Sequence, residues 1–197
     1  EALEVAHEKG VIHRDLKPPN IMLKPEPSEA LPYQPVITDL GLALLLEGQH
    51  LTLDGTSMGT PSYMSPEQAM GEPVDARSDV YSLGILLFEL AVGQLPFPIK
   101  SLTEAIRYHS KEPPPPPRSL RPDLPVILEK IILKALEKDP NQRIPNAAEL
   151  AKGLKAITPQ VAQATSSPTL MASSVSLVTQ YQQSLLAPRG TSLIQEF

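Results

Sequence analysis

The chain has 197 residues, with 17 lysines and arginines against 22 aspartates and glutamates, a net charge of −5. That sign argues against a nucleic-acid partner, whose phosphates would need a basic face. Hydrophobic residues make up 41% of the chain, which excludes wholesale disorder, and the length allows one domain or a smaller one with a tail. There is no cysteine, hence no disulfide framework, thiolate metal site or cysteine nucleophile, and a reducing, cytoplasmic setting is expected.

The first nine residues read as a helix already under way, with Leu3, Ala6 and His7 near one face before Lys9-Gly10. The chain starts with Glu1 rather than Met, as a processed chain or a fragment would. Nothing at this end has the form of a signal peptide. Ile21-Met22-Leu23 and Val36-Ile37-Thr38 read as the arms of a hairpin around a Pro-rich loop. Residues 79–92 are nearly all apolar and end at Gly93, which predicts a buried central helix with a glycine C-cap. This apolar stretch is too short to span a bilayer, and it carries Glu89.

Residues 103–110 read as a short amphipathic helix. The prolines at 113–117 are expected to run extended, as a stiff connector in preference to a ligand for a Pro-binding domain. Residues 124–138 carry apolar pairs at helical spacing. Asn146 and Glu149 form a capping box for a last helix ending near Ile157. Beyond it, residues 158–197 hold two charges, Arg189 and Glu196, against twelve Ser/Thr and six Gln. That composition predicts a disordered linker, with a short amphipathic helix around 175–186 as the alternative.

The segment His13-Arg14-Asp15-Leu16-Lys17-Pro18-Pro19-Asn20 resembles the catalytic loop of protein kinases, in its serine/threonine-specific form. Four further blocks follow in the family's order. Asp39-Leu40-Gly41-Leu42-Ala43 resembles the metal-binding element, with Leu40 for Phe. The stretch from Gly59 to Ser65-Pro66-Glu67 resembles the substrate-docking loop, with Ser65 for Ala. Asp79-Val80-Tyr81-Ser82-Leu83-Gly84 resembles the start of the central helix, and Arg143 the arginine that closes the fold. The flavour is that of bacterial eukaryotic-like (Hanks-type) serine/threonine kinases.

The resemblance implies a mainly α fold, the C-terminal lobe of a kinase domain: a helical bundle with a short β-hairpin at the catalytic loop, over residues 1–157, followed by the flexible tail. It implies ATP and Mg²⁺, with Mn²⁺ as a substitute, and protein substrates with Ser or Thr acceptors. Phosphoryl transfer needs positioning, metal-held phosphates and a carboxylate by the acceptor hydroxyl. The resemblance makes Asp15 that carboxylate, Lys17 the cation on the transferring group, and Asn20 and Asp39 oxygen ligands for the metal. Thr60 matches the residue that contacts Asp15 and Lys17. Arg14 matches the arginine that pairs with a phosphorylated activation loop, for which Thr52, Thr56 and Ser57 are the candidate acceptors. His13, Asp79 and the ion pair Glu67–Arg143 are implied to be structural.

Two departures stand out. No Gly-x-Gly-x-x-Gly occurs in the chain, and only twelve residues precede His13, so the lobe that covers the ATP phosphates is expected to lie outside this sequence, and the chain alone to be inactive. Asn20 and Asp39 are 19 positions apart, longer than the family shows, an insertion that a surface loop tolerates at small entropic cost. Many such kinases continue through a linker into a membrane helix, so anchoring of a longer protein is left open. The alternative function is a non-catalytic, kinase-like interaction module.

Overall fold

The computed structural model describes residues 2–25, 33–40 and 61–164, the side chains of 158–164 excepted. It divides into units Glu1–Thr158 and Pro159–Phe197, and the core described below lies in the first.

Helix α1 (Ala2–Glu8) buries Leu3 and Ala6 and turns off at Gly10, whose φ of 72° needs no Cβ. A 3₁₀ turn, Pro18–Asn20, leads into strand β1 (Ile21–Pro25), which pairs antiparallel with β2 (Tyr33–Ile37) in register Ile21↔Ile37 to Pro25↔Tyr33. Both strands are longer than the sequence suggests because each takes in a proline, Pro25 or Pro35. A two-stranded sheet has only edges, so a missing N–H is tolerated there.

After a second 3₁₀ turn, Pro61–Tyr63, comes α2 (Pro66–Met70), a helix not expected from the apolar pattern. Its signal is local: Ser65 and Gln68 form a reciprocal capping box, Pro66 takes the first helical position, and Gly71 closes the helix with φ 70°.

Helix α3 (Ala76–Val92) forms the centre. It is apolar on all sides, so no orientation lets it lie at a surface, and Val80, Tyr81, Ile85 and Phe88 are fully buried. Each such side chain contributes about 1.5–3 kcal/mol when withdrawn from water. It starts three residues earlier than the apolar run, because Asp75 caps it through the Arg77 N–H, and stops at Gly93 with φ 86°.

Helix α4 (Leu102–Ser110) is capped by Ser101. The proline run is not extended throughout, since Pro117 opens a single turn, α5 (Pro117–Leu120), at the position where its fixed φ suits a helix start. Helix α6 (Val126–Ala135) passes α3 at Gly84, where a Cβ would stand 3.0 Å from Ala135 Cβ and 3.0 Å from Leu136 Cδ2. A methyl group there would fit only if those two side chains moved by a few tenths of an ångström. Helix α7 (Ala147–Ala164), capped by Asn146, runs past the expected end near Ile157 and takes in Pro159.

Candidate active site

Apart from the 3₁₀ turn at its end, the 13–20 loop carries no regular structure, so its shape is imposed largely by side chains reaching in from helices. Asp79, fully buried in the first turn of α3, does most of this. Its Oδ2 accepts from His13 N at 2.9 Å and its Oδ1 from Arg14 N at 2.9 Å. Oδ2 also takes His7 Nε2 at 2.7 Å, so one carboxylate gathers α1, the loop and α3. Arg14 has φ 66°, a left-handed conformation that is costly for a side chain with a Cβ, and these bonds help to hold it there.

His13 is buried, and its tautomer follows from its partners. Asp15 N donates to Nδ1 at 3.3 Å, so Nε2 bears the hydrogen and donates to Thr38 O at 2.9 Å. That bond ties the loop to the residue before Asp39. Asp15 is exposed and presents its carboxylate to two neighbours: Lys17 Nζ lies 2.7 Å from Oδ2, and Asn20 Nδ2 donates to Oδ2 at 3.1 Å and to Asp15 O at 2.8 Å.

With the Asn20 NH₂ directed at Asp15, its carbonyl oxygen is the end left for a cation. Thr38 N donates to Asn20 O at 2.9 Å, so the backbone brings Asn20 within one residue of Asp39, which is exposed with φ 61°. An amide oxygen and a carboxylate on residues brought together in this way are donor types that suit Mg²⁺, which is bound through one or two protein oxygens together with substrate phosphates and water. Among the described residues no cluster of three or more His, Asp or Glu forms a closed cage.

The 61–67 segment is fastened from three directions. Arg143 forks onto Glu67, with Nη1 donating to Oε1 at 2.8 Å and Nη2 to Oε2 at 3.1 Å, and both side chains are buried. Ser78 Oγ donates to the same carboxylate at 2.5 Å. Burial would raise the Glu67 carboxyl, but the Arg143 and Ser78 hydrogen bonds and the Arg143 charge outweigh it and hold the group below the usual carboxylate range. Arg143 also donates to the carbonyls of Arg77, Glu137 and Lys138. Ser82 Oγ donates to Tyr63 O at 2.8 Å.

The third fastening is a relay that reaches the Pro61 carbonyl through a neutral histidine. His109 Nε2 donates to Pro61 O at 3.0 Å, Tyr81 OH donates to His109 Nδ1 at 3.0 Å, and Lys138 Nζ donates to Tyr81 OH at 3.0 Å. Burial lowers His109 to about 4 despite its bond to Pro61, with the Lys138 charge adding to the shift. Burial and the Arg143 charge together push Lys138 down to about 8. Tyr81 is raised by burial and keeps its proton.

The structure therefore brings together Asp15, Lys17 and Asn20, places Asp39 beside Asn20, joins Glu67 to Arg143, and sets His13 and Arg14 on Asp79. Thr52, Thr56, Ser57 and Thr60 lie outside the described residues. Sequence reasoning missed His7, Ser78, Tyr81, His109 and Lys138, whose partners lie 11 to 72 positions away and leave no periodic trace. It also missed the role of Gln68, whose capping-box spacing was legible.

The family described as protein kinase domain matches residues 1–153. Serine/threonine-protein kinase Pkn1 of Myxococcus xanthus is 41% identical over 157 residues, which are 79% of this chain and 22% of that protein. Serine/threonine-protein kinase pkn3 of the same organism is 41% identical over 179 residues, covering 88% and 32%. Serine/threonine-protein kinase PknB of Mycolicibacterium smegmatis is 41% identical over 156 residues, covering 78% and 24%. The chain thus spans about a fifth to a third of the length of these curated relatives. With the family match running across the 13–20 loop, the hairpin and all the helices up to α7, the chain belongs to the protein kinase family, of the bacterial eukaryotic-like serine/threonine type.

Proposed function

We propose that this chain supplies the substrate-side half of a serine/threonine kinase that moves the γ-phosphoryl group of ATP to Ser and Thr hydroxyls of proteins. The observation that carries the reading is the Asp15 carboxylate, exposed on a loop whose backbone is pinned from α3 and bracketed by the Lys17 ammonium and the Asn20 amide. A carboxylate so held can orient an acceptor hydroxyl and take its proton, while Lys17 lies close enough to meet negative charge on the transferring group. Asn20 and Asp39 would hold Mg²⁺ or Mn²⁺, which when bound neutralises phosphate charge. Thr60 would contact Asp15 and Lys17. Phosphorylation at Thr52 or Thr56, or at Ser57, would supply a phosphate for the Arg14 guanidinium to bind.

Residues 1–157 would act as the catalytic lobe and 158–197 as a linker, with transfer requiring a nucleotide-covering lobe from more of the same protein. Among the described residues no helix is long and apolar enough to cross a membrane.

The test is Mg²⁺-ATP-dependent transfer to a protein substrate by the full-length protein, with Asp15→Asn beside it. The expected result is transfer that falls roughly 10²- to 10⁴-fold in the variant, and none by the 197-residue chain alone. Nucleotide binding without transfer, unaffected by Asp15→Asn, would favour the interaction-module reading. Phosphopeptide mapping of the active protein that finds 52, 56 and 57 all unmodified would remove the Arg14 proposal.

A further inference from the structure

We propose that Gln68 is a positioning residue: through the Arg14 peptide it sets the orientation of Asp15, and so couples the docking segment to the proton-accepting carboxylate. The inference rests on the kinase reading above. Gln68 lies at the third position of α2, where it completes the cap by accepting from Ser65 N at 3.1 Å through Oε1. A backbone N–H can only donate, so this bond fixes which end of the amide is which. Turning the amide over would set N–H against N–H and oxygen against oxygen. Nε2 is thereby aimed away from the cap, and it donates to Arg14 O at 2.5 Å, across 54 positions of sequence.

The cap has no need of that donor. A carboxylate at the same position accepts from the capping residue equally well, and glutamate is as common there as glutamine. What the donor reaches is a residue in a left-handed conformation, φ 66°. Asp79 holds the N–H of Arg14 and Gln68 its C=O. The peptide from Arg14 to Asp15 is planar, so directing its carbonyl oxygen also directs Asp15 N, which meets His13 Nδ1. The next atom outward is the Cα that carries the Asp15 carboxylate. Ser65 and Glu67 of the docking segment flank the first turn of α2, so a shift of that segment is transmitted to Asp15 through one side-chain amide.

The separating variant is Gln68→Glu in the full-length protein. It keeps the acceptor for Ser65 N and loses the donor to Arg14 O, whereas Gln68→Leu loses both. The expected result for Gln68→Glu is a thermal midpoint lowered less than in Gln68→Leu, an unchanged KM for ATP, and a kcat lowered roughly 10- to 100-fold at temperatures where the variant is folded, the usual effect of a small misplacement of a reacting group. Protonating the introduced carboxyl restores a donor. The ratio of variant to wild-type kcat should therefore climb as pH falls through that titration, which a helix cap would not produce. Gln68→Leu should lose stability and kcat together at every pH. Wild-type kcat in Gln68→Glu at all pH values, or a loss that follows unfolding with no recovery at low pH, overturns the inference while the kinase reading stands. Absence of transfer by the unmutated full-length protein overturns the kinase reading and this inference with it.

Discussion

Asp79 and Glu67 are both buried carboxylates, 0% and 4% exposed, yet they replace the lost water in opposite ways. Asp79 is met mainly by the backbone, through two N–H groups of the 13–20 loop, with the ring of His7 added. Glu67 is met by a full counter-charge, the Arg143 guanidinium, with the Ser78 hydroxyl added. The first arrangement shapes a loop, since backbone groups accept only one geometry at the anion. The second clamps two elements 76 positions apart, side chain to side chain. One carboxylate specifies the site, and the other holds the ground on which the site stands.

The largest effect should come from opening the clamp. Arg143→Ala leaves Glu67 buried without its counter-ion and should cost about 3–5 kcal/mol in urea unfolding. Replacing both partners, as Glu67→Leu with Arg143→Met, should recover much of that, because no charge is then stranded. Asp79→Asn should cost less, about 1–3 kcal/mol, since one acceptor remains and one NH₂ confronts a donor. Its signature is local: amide exchange at His13 and Arg14 should accelerate more than at the 61–67 segment. If Arg143→Ala loosens the two loops in the reverse order, the division of labour between the carboxylates is wrong.

These anchors also show what the sequence makes legible. The hairpin, α4, α6 and the capped start of α7 are readable because each is written in neighbouring residues: alternation, helical spacing, a capping pair. The starts of α3 and α5 and the whole of α2 were displaced or missed where caps and prolines, rather than apolar periodicity, set the boundary, as at Asp75, Pro117 and Ser65. The site divides the same way. Asp15, Lys17 and Asn20 stand within five positions of one another and are held by direct contacts. Their roles, like those of Asp79 and Arg143, are legible only through resemblance to a family. His7 and His109 have partners 72 and 48 positions off, and no local pattern points to either.

A third tie sharpens the comparison because it runs through a neutral histidine. Between its folded value of about 4 and its ordinary 6.5, His109 binds a proton in the unfolded chain and not in the folded one. Stability should therefore fall as pH drops from about 6.5 to about 4, at up to the order of 1 kcal/mol per pH unit. Lys138, lowered to about 8 from 10.5, behaves alike at the alkaline end, with stability falling as pH drops from about 10.5 to about 8. Glu67 has a depressed carboxyl, so its contribution is whole above its ordinary 4.5 and is lost as pH falls from there through the folded value. Of these three groups, only His109 titrates between 4.5 and 6.5. Urea midpoints measured across that window should slope in the wild type and flatten in His109→Gln. An unaltered slope would mean that the relay to Pro61 is not what titrates.

The smallest effect is the most instructive, because it sets geometry against burial. Arg77 lies 2.6 Å from Asp75, closer than the 2.8 Å between Arg143 and Glu67. By distance alone the first pair should be the stronger. Its side chains are 30% and 52% exposed, however, against 0% and 5% for the second, so water and salt screen the attraction and both charges stay hydrated when separated. Arg77→Ala removes the ion pair and the contact with Asn141. It keeps the backbone N–H that Asp75 caps and the carbonyl that Arg143 uses. The expected cost is about 0.5 kcal/mol in urea unfolding, shrinking further with added salt, while that of Arg143→Ala should barely respond to salt. A cost for Arg77→Ala approaching that of Arg143→Ala would mean that contact distance, and not withdrawal from water, decides what an ion pair is worth in this lobe. The contrast drawn between Asp79 and Glu67 would then lose its basis, since it too assumes that a buried anion is governed by what replaces its water.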